Sequence, residues 1–529
     1  MATSAVALLC LAGVNPLVSA AQTKTSAARP SGVAQFKAKV DAALSGARDQ
    51  KAFWGILIVD RDSGKILYEL NADHFFAPAS NAKLFVTSFA LAALGTDYKY
   101  RTTLESETPI STTGELSGDL ILVGRGDPDL SNRVFPFDHK PERDGPPEKI
   151  LGELADAAIA KGLRQIDGDV VADDTYYPYD PYPEGWSEGD IFFSFGAPVD
   201  AIVLNDNIVA IDVQSGAHEG DPATLSVTPE SALEGFDAQI TTSAPGSKAD
   251  LAVVRQPGPN FILLRGTVPA GGPPTHVELA ITQPAEVAGR ALKQVLESRG
   301  VIVRGTVRVL HSPPPVVDAA GNPGPPDGVR SPEDHTVLAE HFSPPLVESI
   351  GLTNKISQNL HAEMYLRELG RQKYGTASTA AGLAVERDFL RTAGIADGDV
   401  VLADGSGLAP EDLVTPRAVV TLLRYAITQP WGAAWASTLP ISGVDGTLEN
   451  RFTNAPSLGM MHAKTGSITN VRAVSGYATS AYGASLLFCI MVNANPQHGL
   501  DATSTMDAIA TAMIDTIRPS SVTANRPKR

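Results

Sequence analysis

Residues 75–94 read FFAPASNAKLFVTSFALAAL, and the reading of this stretch decides how the rest of the chain is threaded. Pro78 lies just ahead of a helical run in which Leu84, Phe85, Phe89 and Leu91 are available for a buried face. Ser80-Asn81-Ala82-Lys83 then puts a hydroxyl and an amine one turn apart at the helix start, on a shared face. A helix N-terminus favours negative charge, which helps a developing alkoxide. Serine is a poor nucleophile until a neighbouring base takes its proton, and a desolvated lysine can be that base. No other lysine in the chain has a serine three residues before it.

Upstream, GILIVD (55–60) and ILYEL (66–70) flank Arg61-Asp62-Ser63-Gly64-Lys65, a hairpin signal. Ala5 to Ala20 is an apolar stretch ending in the small-x-small triplet Val18-Ser19-Ala20, although no Lys or Arg precedes it. It resembles a secretory signal peptide of residues 1–20 and, at this length and broken by Asn15-Pro16, is a poor membrane span. Cleavage after Ala20 would remove Cys10 and leave Cys489, in SLLFCIMV, as core filler. Residues 21–34 read as an Ala/Ser/Thr-rich linker.

Downstream, the texture changes from about 97 to 330, where short alternating segments such as GDLILVG, AIVLNDN and FILLRGTV alternate with turn residues. That is a β-rich pattern, interrupted by one clear helix at 285–300. Proline clusters between 312 and 333 suggest a boundary. Helix is predicted again for HTVLAEHF, SPPLVESIGLTNKISQNLHAEMYLREL, TAAGLAVERDFLRTAG and PRAVVTLLRYAI. Strands follow near 460–468, 471–479 and 484–493. A last helix carries Met506, Ile509, Met513 and Ile517 at three-to-four spacing, a stripe suited to packing on a sheet. The tail from Pro519 reads as disordered, and no 20–50-residue repeat is visible.

The length of 529 residues suggests roughly three domains. A net charge of -17 argues against nucleic acid as a partner, because neutralising phosphates requires a positive face. With 2 cysteines, neither a disulfide scaffold nor a Cys-based zinc site can be built.

Two further motifs each occur once. Ser357-Gln358-Asn359 supplies a hydroxyl for proton relay and an amide to hold a substrate carbonyl or amide. Lys464-Thr465-Gly466, in the strand-like MHAKTGSI, offers a cation and a hydroxyl for a carboxylate, and a glycine that lets ligand backbone come close. Taken singly, each motif has an ordinary explanation: a solvated lysine, a capping serine, a turn glycine. His361 and Glu363 superficially suggest a metal pair, but H-A-E lacks zincin spacing and is read as helix surface.

In the order 80, 357, 464, however, the trio is that of β-lactamases and penicillin-binding proteins. The segments GDPDL (126–130), FGAPVDAIVLNDN (195–207), DGSGL (404–408), LPISGVDGTL (439–448) and AKTGSITNVRAVSGY (463–477) extend the likeness over roughly 35–518. The chain resembles the class C low-molecular-mass penicillin-binding proteins, the serine-type D-alanyl-D-alanine carboxypeptidase/endopeptidases.

The resemblance implies an α/β (α+β) fold. A penicillin-binding/β-lactamase-like core, an antiparallel sheet with helices, would consist of 35–96 and 331–518, with two nested β-rich domains inserted at 97–330 and a tail at 519–529. It implies Ser80 as nucleophile on the bond between two terminal D-alanines of a peptidoglycan stem peptide, with Lys83 as base. Ser357 would pass a proton to the leaving D-alanine, and Asn359 would anchor substrate. Lys464 and Thr465 would hold the terminal carboxylate, and the N–H groups of Ser80 and Ser467 would form the oxyanion hole. β-Lactams would acylate Ser80, and no metal or cofactor enters. The positions corresponding to a diaminopimelate-binding Asp and aromatic are Asp190 and Phe195, as loop charge or core aromatic in the plainer reading. The family often has an Arg where Pro410 stands, and sometimes a Gln where Thr469 stands. An exported, periplasmic or extracytoplasmic bacterial enzyme follows, with homo-oligomerisation left open. The rivals are a β-lactamase or esterase on the same core, and a non-catalytic wall-binding module.

Overall fold

The computed structural model describes residues 32–46, 51–138, 142–232, 236–255, 262–314, 335–495 and 502–519. The signal-peptide reading of 1–20 with Cys10, nearly all of the 21–34 linker, most of the proline-rich boundary and the tail beyond 519 lie outside the described residues.

The hairpin forms as Phe53–Asp60 and Ile66–Leu70, its turn tied by Asp60 Oδ1, which accepts from both the N–H and the hydroxyl of Ser63 at 2.8 and 2.7 Å. Its first strand also pairs with Ser485–Asn493. The result is one antiparallel sheet in the order Met461–Ile468, Val471–Thr479, Ser485–Asn493, Phe53–Asp60, Ile66–Leu70. Chain from both sides of the texture change thus shares a single sheet. Alternation divides its side chains between two cores. Ile56, Ile58, Phe488 and Ile490 pack under Gly32–Leu44 and Thr503–Thr516, where Met506, Ile509, Met513 and Ile517 are all buried. Leu57, Val59, Cys489 and Met491 face the helices Lys83–Leu94 and Pro416–Ala426. Burial pushes the Cys489 thiol up to about 12, so it is inert packing.

The middle of the chain builds a second mixed sheet, ordered Val307–Ser312, Val170–Pro178, Leu120–Val123, Arg101–Ser106, Thr336–Phe342. Three three-stranded sheets join it around a common core. Two expectations are corrected here. The segment HTVLAEHF is a strand, not a helix. It pairs antiparallel with Arg101–Ser106, and the Pro344-Pro345 that follows favours extended backbone before it. The one helix expected at 285–300 (Pro284–Ser298) also has a companion, Lys149–Ala160, which buries Leu151, Leu154, Ala155 and Ala158 at helical spacing.

The long helical stretch after Pro345 is two helices, Leu346–Ile356 and Asn359–Tyr374. They break at Ser357, which sits at φ 65°, ψ 40° in the left-handed region.

Candidate active site

Ser80 lies in the 3₁₀ turn Ala79–Ala82, which runs directly into the helix Lys83–Leu94. The turn is pressed onto the edge strand Met461–Ile468 from one side and the loop 404–409 from the other. Gly407 (φ 83°) leaves room for the Ala79 carbonyl, which a Cβ would meet at 1.9 Å. Gly466 does the same opposite: its Cβ would lie 2.6 Å from the Pro78 carbonyl oxygen and 3.0 Å from Asn81 Nδ2. The K-T-G glycine therefore admits the Pro78 carbonyl and the Asn81 side chain of the turn that carries Ser80.

Lys83 is fully buried and donates to Ser80 Oγ (2.9 Å), Asn359 Oδ1 (2.6 Å) and the Ser406 carbonyl (2.7 Å). Burial pulls its pKa down to about 7, against the opposing charges of Asp404, Glu363 and Asp412. Lys464, also fully buried, donates to Ser357 Oγ at 2.8 Å and to the Thr465 carbonyl at 3.0 Å. Burial and the Lys83 charge push it well below the usual lysine range. Two chains of contact thus run from lysines to serines, one through Ser80 and one through Ser357.

Asn359 is shared: its carbonyl faces Lys83, and its Nδ2 donates to the Phe195 carbonyl at 2.7 Å. This second bond ties the core helix to the loop 186–196, which forms a wall of the site. A cleft of about 660 Å³ opens there, lined by Ser80, Ser357, Asn359, Thr465 and Ser467 on one side and by Ser187, Asp190 and Phe195 on the other. Asp190 accepts from Ser187 Oγ at 2.7 Å. Phe195 is 46% exposed and stacks on Phe193, with ring centroids 5.7 Å apart. Both residues border the cleft, as do Pro410 and Thr469.

Several contributors carry no signal in the three motifs. Asp404, quoted above only as part of DGSGL, is fully buried and accepts from the backbone N–H groups of Ser406, Gly407, Leu408 and Ala409 and from Trp186 Nε1 at 2.9 Å. It thereby fixes the loop whose Ser406 carbonyl holds Lys83. Thr447 lines the cleft beside Thr465, and its position beyond a Gly-Val-Asp-Gly turn gives no local cue. His361 and Glu363 are a correction: both are fully buried, not helix surface. His361 Nε2 meets Asp206 Oδ1 at 3.1 Å, and Glu363 Oε1 accepts from the Gly405 N–H at 3.0 Å. Burial raises Glu363 to about 7.

The likeness to known proteins follows the same extent of chain. The profile of the D-Ala-D-Ala carboxypeptidase 3 (S13) family matches residues 36–321 and 327–513. A D-alanyl-D-alanine carboxypeptidase from Actinomadura sp. (strain R39) is 32% identical over 492 residues, covering 91% of this chain and 85% of that protein. D-alanyl-D-alanine carboxypeptidase DacB from Haemophilus influenzae is 25% identical, covering 83% of this chain and 85% of its own. The crystal structure of penicillin binding protein 4 (dacB) from H. influenzae superposes with a TM-score of 0.75 at 23% identity, covering 91% of this chain and 98% of that one. With the profile spanning nearly the whole described chain, and with that identity to the Actinomadura enzyme, the chain belongs to the D-Ala-D-Ala carboxypeptidase 3 (S13) family.

Proposed function

We propose that this protein is a serine-type D-Ala-D-Ala carboxypeptidase acting on peptidoglycan stem peptides through an acyl-enzyme on Ser80. The observation that carries the reading is a single contact: a buried lysine, its pKa near 7, 2.9 Å from the hydroxyl of Ser80. In the proposed reaction, Ser80 Oγ attacks the carbonyl carbon between the two terminal D-alanines while its proton passes to Lys83 Nζ. The backbone N–H groups of Ser80 and Ser467 are assigned to the oxyanion, Ser467 lining the cleft from the last strand of its sheet. The C–N bond then breaks. The departing amine takes a proton from Ser357, which Lys464 orients through their 2.8 Å hydrogen bond, and the proton that Lys83 took from Ser80 passes to Ser357 in turn, leaving Lys83 neutral again. Water, deprotonated by Lys83, hydrolyses the ester and restores Ser80.

A β-lactam would enter the same path and stop at the ester. The H. influenzae relative has been solved with a β-lactam bound, which supports this. Asp190 and Phe195 are read as the wall that receives the stem peptide's side chain. A peptidoglycan substrate calls for export, with residues 1–20 as the signal peptide; no helix among the described residues is long and apolar enough to cross a membrane. The region from 97 to 330 is read as nested β-rich insertions into a core of 35–96 and 331–518, extended by the strand Thr336–Phe342.

Intact-protein mass spectrometry after exposure to penicillin tests the reading. One adduct per chain is expected on the wild type and none on Ser80→Ala, with both folded by circular dichroism. A wild-type protein that takes up no penicillin refutes it.

A further inference from the structure

Residues 439–448 (LPISGVDGTL) run alongside the strand Met461–Ile468, joined to it by the bonds Ser442 N–H to Met461 O (3.0 Å) and Ala463 N–H to Pro440 O (2.9 Å). The segment ends in the one-turn helix Gly446–Leu448, which brings Thr447 to the cleft. There Thr465 Oγ1 donates to Thr447 Oγ1 at 2.7 Å, the one side-chain hydrogen bond of Thr447 among the described residues. Two hydroxyls bonded to each other leave one O–H over, whichever of them donates, and the bond between them polarises that remaining donor. The surrounding wall is rich in hydroxyls, from Ser80, Ser357, Ser467 and Thr469, while the carboxylate of Asp190 lies on the loop across the cleft. A wall of donors with a buried lysine behind it suits an acceptor-only group of negative charge.

What holds Thr447 in place is equally specific. Lys355, two residues before Ser357, donates to Asp445 Oδ2 at 2.6 Å and to the Leu439 carbonyl at 2.8 Å. Asp445 Oδ1 accepts from the Ile441 N–H at 2.8 Å. Gly446, at φ 57°, lies so close that a Cβ would stand 2.6 Å from the Lys355 carbonyl oxygen. One ion pair, with side chains 8% and 17% exposed, therefore fixes the turn carrying Thr447 against the end of the helix that carries Ser357.

We infer that Thr447, acting with Thr465, binds the carboxylate of the substrate's C-terminal residue, and that Lys355 and Asp445 are its positioning pair. The inference rests on the carboxypeptidase reading above and extends it to a residue outside the three motifs. The competing role is a brace: Thr447 would support Thr465 without touching substrate.

The test compares an acyl-D-Ala-D-Ala peptide with its C-terminal carboxamide on wild type, Thr447→Val, Thr447→Ser and Asp445→Asn. Thr447→Val keeps the shape and removes the hydroxyl. It should raise KM for the carboxylate peptide about ten- to a hundredfold, the size of one hydrogen bond to a charged group, and leave kcat/KM for the carboxamide within about threefold. Thr447→Ser should recover most of the loss, and Asp445→Asn should reproduce it in weaker form. Equal losses on both peptides, or no loss on either, overturn the inference. Penicillin labelling of Ser80 in the same wild-type preparation separates the two failures. Absence of label refutes the carboxypeptidase reading, whereas label together with equal losses refutes the role of Thr447 alone.

Discussion

In the proposed reaction, Lys83 is the residue on which the chemistry turns, because its environment sets the pH at which it is a base. Burial disfavours its ammonium form and brings the pKa down to about 7, while Asp404, Glu363 and Asp412 keep it from falling further. The neutral amine is the form that accepts the Ser80 proton. The sign therefore runs upward: kcat/KM and the rate of penicillin acylation should rise about tenfold per pH unit below 7 and level off above it. A stopped-flow acylation profile from pH 5 to 9 measures this, and a rate that is flat across that range contradicts the assignment. Lys83→Arg keeps a positive charge that does not dissociate in this range, so its acylation should drop by about 10³-fold or more at every pH. At this scale the sequence was informative, since a hydroxyl and an amine three residues apart on one helix face are local facts. It did not reveal that Asn359, contributed by a helix 276 positions later, would complete the lysine's coordination at 2.6 Å.

At the scale of elements, the site depends on a helix that stops where its residues alone would let it continue. Ser357 ends Leu346–Ile356 in the left-handed region, closed by the bond from Gln358 N–H to the Thr353 carbonyl at 3.0 Å. A residue with a Cβ pays about 1 kcal/mol there relative to glycine. The expected signature is a split between stability and function. Ser357→Gly should be more stable than Ser357→Ala by about 1 kcal/mol in urea denaturation, while both lose most of their acylation rate. Equal stability of the two variants contradicts the strain argument. Local pattern made the hairpin and the three C-terminal strands legible, because alternation and turn residues sit within a few positions of each other. It misread 336–342, whose strand partner 101–106 lies more than two hundred residues away. It likewise placed His361 on a surface, because nothing near it in sequence announces Asp206. The breaks and burials that long-range partners dictate are the part a local pattern cannot carry.

At the scale of the molecule, the middle of the chain and the helix Asn359–Tyr374 meet on buried charge. Asn205, Asp206 and Asn207 follow one another at positive φ, a conformation that Asn and Asp tolerate best. The turn aims the Asp206 carboxylate inward, where it is fully buried. Arg133 reaches it through Nε at 2.9 Å, Arg143 through Nη2 at 2.7 Å, and His361 through Nε2 at 3.1 Å. Burial alone would raise its pKa, but the two guanidiniums and the His361 bond hold it well below the usual carboxylate range. An aspartate depressed in this way contributes stability above its unfolded pKa of about 3.9 and loses it as pH falls through the folded value, so the contribution is intact at neutral pH. Because His361 stands two residues beyond Asn359 on the same helix, the cluster that joins the two parts also seats a residue holding Lys83. Asp206→Asn keeps the shape but removes the counter-charge shared by the buried Arg133 side chain and the part-exposed Arg143, leaving Arg133 only Glu142, which should cost about 3–5 kcal/mol in urea denaturation. If the cluster works through His361, a double-mutant cycle of Asp206→Asn with His361→Ala should show coupling of about 1 kcal/mol or more, and Asp206→Asn should slow penicillin acylation even at temperatures where the variant is fully folded. Additive losses with an unchanged acylation rate would instead make the cluster a tether between the two parts with no bearing on the site.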